Sequence, residues 1–156
     1  NASPIDFAFE IHSEIGERAM AAKVNGRMVP LRHKLKNGDQ VEIITGSKIN
    51  LNPDWIEDVV THKAKSRIRQ FINHKKRSIA DEGRKIWNKR ARKEKLELSE
   101  QEISKIARLF NYDSVQSLFY NLFTGSVDIN KVYKYARNLK LTGKVELESS
   151  ASISNE

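Results

Sequence analysis

The chain contains no cysteine among its 156 residues. Disulfide scaffolds, thiolate zinc sites and cysteine nucleophiles are therefore excluded, which fits a reducing compartment and leaves stability to packing alone. No window approaches the roughly 20 uninterrupted apolar residues that a membrane-spanning helix needs, and the start lacks a charged region followed by an apolar stretch. A soluble, cytoplasmic protein without an export signal is expected. Catalytic signatures are missing as well. His12, His33, His62 and His74 show no two-histidine ligand spacing with a carboxylate, and Gly125-Ser126 and Gly143-Lys144 lack the other positions of a phosphate-binding loop. The residues thus predict no active site, no metal site and no cofactor.

What the chain has in excess is positive charge, with a formal net charge of +8. A basic balance of this size points to a polyanionic partner if it is concentrated rather than spread. It is concentrated: Thr61 to Lys95 holds fourteen Lys/Arg against three acids, a net of +11, so the remainder is slightly acidic at −3. With 38% hydrophobic and 31% charged residues the chain has the make-up of one ordinary globular domain or two small ones. Asn1-Ala2 ahead of Ser3-Pro4 reads as the remainder of a cleaved purification tag, and the chain as an excised piece.

Ser3-Pro4-Ile5-Asp6 is a helix start, with a hydroxyl to cap an orphan N–H, proline in the first turn and an acid favoured by the helix dipole. Ile5, Ala8, Phe9 and His12 then share one face, and Gly16 is placed to end the helix in the left-handed conformation. Ala19 to Val24 and Arg27 to Leu31 flank Asn25-Gly26, a strong hairpin signal, and after the turn at Lys36 to Asp39, residues 40–45 alternate as a half-buried strand. Asn52-Pro53 opens a helical region carrying Trp55, Ile56, Val59 and Val60 toward a core. Inside the basic run Ile68, Phe71, Ile72, Ile79, Ile86 and Trp87 recur at helical intervals, which predicts a long amphipathic helix weakened or kinked at Gly83. Ser99 to Glu102 matches a capping box, Asp113 or Ser114 caps a further helix, and a last helix runs from about Asp128 to Leu139. One helix and about three short strands in some 45 residues bury too little for a comfortable independent domain, so something is missing at the N-terminus.

The runs Ser3 to Gly16, Ala22 to Leu31 and Leu35 to Thr45, with Asn52 to Trp55 and Thr61 to Phe71, closely resemble the TGS domain and the start of the following helical domain of long RelA/SpoT (p)ppGpp synthetases and hydrolases. The resemblance implies an α+β chain: a truncated, ubiquitin-like β-grasp at 3–46 lacking its initial β-hairpin, a linker at 47–51, a basic all-α domain at 52–140 and a flexible tail at 141–156. It also implies that the hydrolase and synthetase domains are absent, so this segment is not itself an enzyme although its parent is a GTP pyrophosphokinase and (p)ppGpp hydrolase.

In that family the histidine of the Ile-His-Ser position recognises the 3′ CCA end of uncharged tRNA on the ribosome, a role that the resemblance carries to His12. Without the resemblance a lone histidine on a mostly apolar helix face reads as a core or boundary residue. Arg18 matches a basic position near that histidine and suits a phosphate, or equally a solvated turn. Lys23 and Arg27 flank the hairpin turn and extend the same expected tRNA surface. Lys63, Lys65, Arg67, Arg69, Lys75, Lys76 and Arg77 are the expected contacts to an rRNA or tRNA backbone. Trp55, Trp87 and Phe71 fall at core-facing spacing and read as packing residues. The rival reading is protein docking, with acyl carrier protein or the parent's own catalytic domains on the same basic surface. A third is generic nucleic-acid binding by the helical part.

Overall fold

A computed structural model describes residues 1–143, and the part of the expected flexible tail from 144 onward lies outside the described residues. In chain order the elements are α1 (Pro4–Ile11), α2 (Ser13–Glu17), β1 (Ala19–Val24), β2 (Arg27–Val29), β3 (Val41–Thr45), a 3-10 turn (Pro53–Glu57), α3 (His62–Lys93), α4 (Glu100–Leu109), α5 (Val115–Thr124) and α6 (Ile129–Thr142). This is the α+β arrangement expected: a small antiparallel sheet near the start, then helices. The chain forms two compact units, Asn1–His74 and Lys75–Glu156, and α3 runs through the division.

The first unit begins with a complete capping box: the Ser3 hydroxyl accepts from the Asp6 backbone N–H, and the Asp6 carboxylate accepts from the Ser3 backbone N–H at 2.9 Å. The helix reading from Ser3 to Gly16 needs two corrections. His12 adopts φ −163° and ψ 144°, which breaks the helix in two. Gly16 does not take the left-handed conformation. It is buried, and a Cβ there would overlap the Phe9 ring, so its smallness lets α2 fold back onto α1. Asn25 (φ 50°) and Gly26 (φ 78°) have the two positive φ values that a type I′ hairpin requires. The sheet order is β2-β1-β3, with Ala22 opposite Val29 and Ile43, and Lys23 opposite Met28 and Glu42. Alternation along β1 turns Ala22 and Val24 inward, where both are buried.

The core that the first 46 residues lack is supplied from further along the chain. Ile5 and Phe9 are fully buried in one cluster with Leu51, Trp55, Val59, Ala64 and Ile68. Each such large side chain contributes roughly 1.5–3 kcal/mol on leaving water. The stretch expected as a linker at 47–51 lies inside the first compact unit. That stretch packs as part of the first unit: the Asn50 backbone N–H donates to the Glu17 carbonyl at 2.8 Å, its side chain donates to the Ala19 carbonyl at 2.9 Å, and Leu51 is buried. Val60, expected in the core, is half exposed.

In the second unit the buried side of α3 (Ala80, Trp87, Ala91) packs in one cluster with Ile103, Ile106, Ala107, Leu118, Phe119, Leu122, Val132, Ala136 and Leu139. Trp55 and Trp87 are packing residues, as their spacing predicts, while Ile86 lies on the exposed side. Gly83 does not end or split α3, which continues to Lys93. A Cβ at Gly83 would collide with the Phe119 carbonyl, so this glycine is the point where α5 crosses α3 at backbone distance. Ser99 and Glu102 form the expected capping box on α4, Ser114 caps α5, and Asp128 caps α6. The last helix continues past the expected end to Thr142, where Gly143 (φ 64°) closes it, so residues 141 and 142 belong to α6 rather than to a tail.

Candidate functional site

His12 sits at the junction between α1 and α2 rather than on an apolar helix face. Its extended backbone makes it the cap of α2, and its Nδ1 accepts the Glu14 backbone N–H at 3.2 Å. An imidazole whose Nδ1 accepts carries its proton on Nε2 when neutral, so the free nitrogen is a donor facing outward. The residue is exposed, and both the ring and that donor are open to a ligand.

A shallow recess of about 400 Å³ lies beside it, lined by His12, Glu14, Ile15, Arg18, Thr45 and Gly46. The fold thus brings His12 and Arg18 together, as the sequence suggested, and adds the end of β3, which no local signal marks. Arg18 is held on the rim by Glu14 at 3.1 Å, a partly exposed pair of the kind that contributes little stabilising energy.

Lys23 and Arg27 do not join this recess. Lys23 lies five residues beyond Arg18 along β1, roughly 16 Å at strand rise. The register places Lys23 across from Met28 and Glu42, and Arg27 across from Val24, so alternation sends the two side chains to opposite faces of the hairpin. The expected single surface through His12, Arg18, Lys23 and Arg27 is divided by the pleat.

Two of the cations expected to contact an RNA backbone, Lys63 and Arg67, lie beside the His12 junction. Lys63 Nζ donates to the Glu10 carbonyl at 3.2 Å, and Arg67 Nε donates to the Ser13 hydroxyl at 3.0 Å. Their i,i+4 spacing puts them on one side of α3. That this side faces residues 10–13 is a tertiary fact with no sequence signal. Arg67 Nη1 also donates to Gln70 at 3.3 Å, which fixes the guanidinium plane and leaves Nη2 open. Of the remaining expected backbone contacts, Arg69, Lys76 and Arg77 are exposed, Lys65 is half-buried and Lys75 is engaged within the protein.

A buried carboxylate anchors this assembly. Asp6 Oδ1 accepts from the backbone N–H groups of Val60 and Thr61 at 3.0 and 2.8 Å and from the Thr61 hydroxyl at 2.8 Å. Its other oxygen serves the Ser3 backbone and hydroxyl. One side chain thereby ties the start of α1 to the start of α3. Among the described residues no group of three His, Asp or Glu side chains is arranged to hold a metal ion, and no helix is long and apolar enough to cross a membrane.

Residues 1–45 match the model of the TGS domain family. The chain is 36% identical over 97% of its length to a probable guanosine-3′,5′-bis(diphosphate) 3′-pyrophosphohydrolase of Synechocystis, covering 20% of that protein. It is 35% identical over 84% of its length to the bifunctional (p)ppGpp synthase/hydrolase RelA of Mycobacterium tuberculosis, covering 19% of it. Over a shorter stretch, 49% of the chain, it is 50% identical to a GTP pyrophosphokinase of Myxococcus xanthus, covering 10% of that protein. The chain spans between a tenth and about a fifth of these relatives. It is a TGS domain followed by a helical segment, homologous over most of its length to the RelA/SpoT family of (p)ppGpp synthetases and hydrolases.

Proposed function

We propose that this chain is a non-catalytic regulatory segment of a cytoplasmic (p)ppGpp synthetase/hydrolase, and that its first unit senses the single-stranded CCA end of uncharged tRNA on the ribosome. The observation that carries the reading is the placement of His12: an exposed ring at a helix junction, its Nδ1 engaged by Glu14 and its Nε2 free to donate. An unpaired terminal nucleotide offers a base face for the ring and a ribose or base oxygen for the donor. Arg18 on the recess rim and the open Nη2 of Arg67 supply charge for the adjoining phosphates. Sensing of this kind acts by differential binding, RNA engagement favouring the arrangement of the parent enzyme that makes the nucleotide.

The test is binding of uncharged tRNA, intact and trimmed of CCA, to the chain and to His12→Ala. Stacking on an aromatic ring contributes about 1–3 kcal/mol per base, so trimming and substitution should each weaken binding by roughly five- to a hundredfold and should not add. Equal affinity in all four combinations would refute the role of His12 and favour docking of an acidic protein such as acyl carrier protein.

A further inference from the structure

The structure sorts the cations of the basic run into those engaged within the protein and those left to solvent. In the second unit Arg84 forms a two-pronged pair with Glu100 and lies over the Phe119 ring at 4.6 Å. Lys85 pairs with Glu82 at 2.7 Å. Arg90 pairs with Glu94 at 3.4 Å, donates to Asn130 and covers the Tyr133 ring. Arg84 and Arg90 thereby fasten α3 to its neighbouring helices, while the Lys85–Glu82 pair stays within α3. Lys76, Arg77, Lys89, Arg92, Lys93 and Lys95 are different: all six are exposed, and their side chains make no hydrogen bond, ion pair or ring contact among the described residues, and Lys89, Arg92, Lys93 and Lys95 stand together at the end of α3.

Their arrangement is that of a surface. At 100° per residue Lys85, Lys89, Arg92 and Lys93 fall within an arc of about 100°, opposite the buried Ala80, Trp87 and Ala91. Lys85, Asn88, Lys89, Arg92 and Lys93 line one shallow groove, and Arg92 and Asn88 also line the adjoining recess that reaches Lys95. Of the acids near this face Glu82 is occupied by Lys85, while Asp81 beside it and Glu97 in the adjoining recess stand against the larger number of cations, so the face stays net positive. Arg92 and Lys93 in the last turn complement the dipole at the end of α3, an effect that fades within one turn and does not account for Lys89.

We propose that this end of α3 is a polyanion-binding face that takes the phosphodiester backbone of double-stranded RNA, independently of any single-stranded end. The inference deepens the RNA reading above and relocates its backbone contacts, from the residues at 63–77 that the sequence suggested to Lys89, Arg92, Lys93 and Lys95. Flexible, unpaired lysines with one arginine suit a run of phosphates, which needs charge rather than fixed hydrogen-bond geometry. A protein partner with an acidic surface is the competing class.

The deciding experiment measures binding of the full chain to a blunt 20-base-pair RNA duplex, which has no CCA end, as a function of salt. Each phosphate neutralised adds about 0.9 to the slope of log affinity against log salt. The triple variant Lys89→Glu/Arg92→Glu/Lys93→Glu should lower the slope by about 2–3 and weaken binding at least tenfold near 0.1 M salt. The milder Lys89→Gln/Arg92→Gln/Lys93→Gln should do the same in direction, while Arg69→Glu/Lys76→Glu/Arg77→Glu should do much less. His12→Ala should leave duplex binding unchanged, so a failed CCA reading and a failed backbone face give different results. The proposal is overturned if the first two variants, folded by circular dichroism, bind the duplex like the parent chain. It is equally overturned if the third variant loses as much as the first, or if the parent chain binds polyglutamate but not RNA.

Discussion

Replacing Asp6 with alanine should cost the first unit about 2–4 kcal/mol, since each buried donor left without its acceptor costs about 1–3 kcal/mol and water reaches some of them. The side chain is 1% exposed and accepts from the Ser3, Val60 and Thr61 backbones and from the Ser3 and Thr61 hydroxyls. Without it the N–H groups of Val60 and Thr61 lose their acceptor, and α3 loses its tie to α1. Asp6→Asn keeps the shape but turns an acceptor-only group into one that also presents donors, so a smaller loss is expected. The same residue gives the unit a pH signature. Burial pushes the Asp6 carboxyl up, but the hydrogen bonds from Ser3 and Thr61 outweigh it and hold the carboxyl below its ordinary value. A depressed folded-state pKa stabilises the protein fully above the unfolded value near 3.9, and that stabilisation is lost as pH falls further through the folded value. Thermal melts between pH 7 and 2.5 should show this loss for the parent chain, and a smaller one for Asp6→Asn. An Asp6→Ala protein that melts within a degree or two of the parent at pH 7 would sink the argument.

Gly83→Ala should destabilise the second unit by about 3 kcal/mol, near the upper end of the cost of overpacking a well-filled interior. Intrinsic propensity alone predicts the opposite sign, since alanine is better than glycine inside a helix by about 1 kcal/mol. The collision decides, because the obstacle is the Phe119 carbonyl on the backbone of α5 and cannot swing away as a side-chain tip would. Urea unfolding followed by the fluorescence of Trp87, with Trp55 replaced by phenylalanine, isolates this unit. A midpoint at or above the parent's would mean that α5 does not approach α3 so closely.

These two positions differ in how far the sequence exposed them. Ser3 and Asp6 read as a helix start from composition alone, yet the greater part of the Asp6 network is with residues 60 and 61, more than fifty positions away. Gly83 stood out only as an interruption of a helical pattern. Whether such a glycine kinks a helix or admits a neighbour depends on what packs there, and a one-dimensional pattern does not contain that information.

The site shows the same division. The exposure of His12 follows from a backbone torsion that ends α1 early, and the periodicity of Ile5, Ala8 and Phe9 carries straight through it. Lys23 and Arg27 are neighbours in sequence and flank one turn, but strand alternation and register place them on opposite faces. Lys63 and Arg67 are distant from His12 in the chain and adjacent to its junction in the fold.

Legible along the chain is whatever depends on local chemistry and on counting: the caps at Ser3, Ser99 and Asp128, the Asn25-Gly26 hairpin, the helical period of residues 62–93, the concentration of charge, and the family that these runs resemble. Turn torsions, orphan N–H groups and amphipathic faces are settled within a few residues, so they are written in the order of the chain. Packing of distant segments settled that residues 51–68 complete the core of the first unit, that this unit extends to His74, and which cations are engaged within the protein. Burial and ion pairing are properties of surfaces that meet, and which surfaces meet is set by the packing of all the elements together.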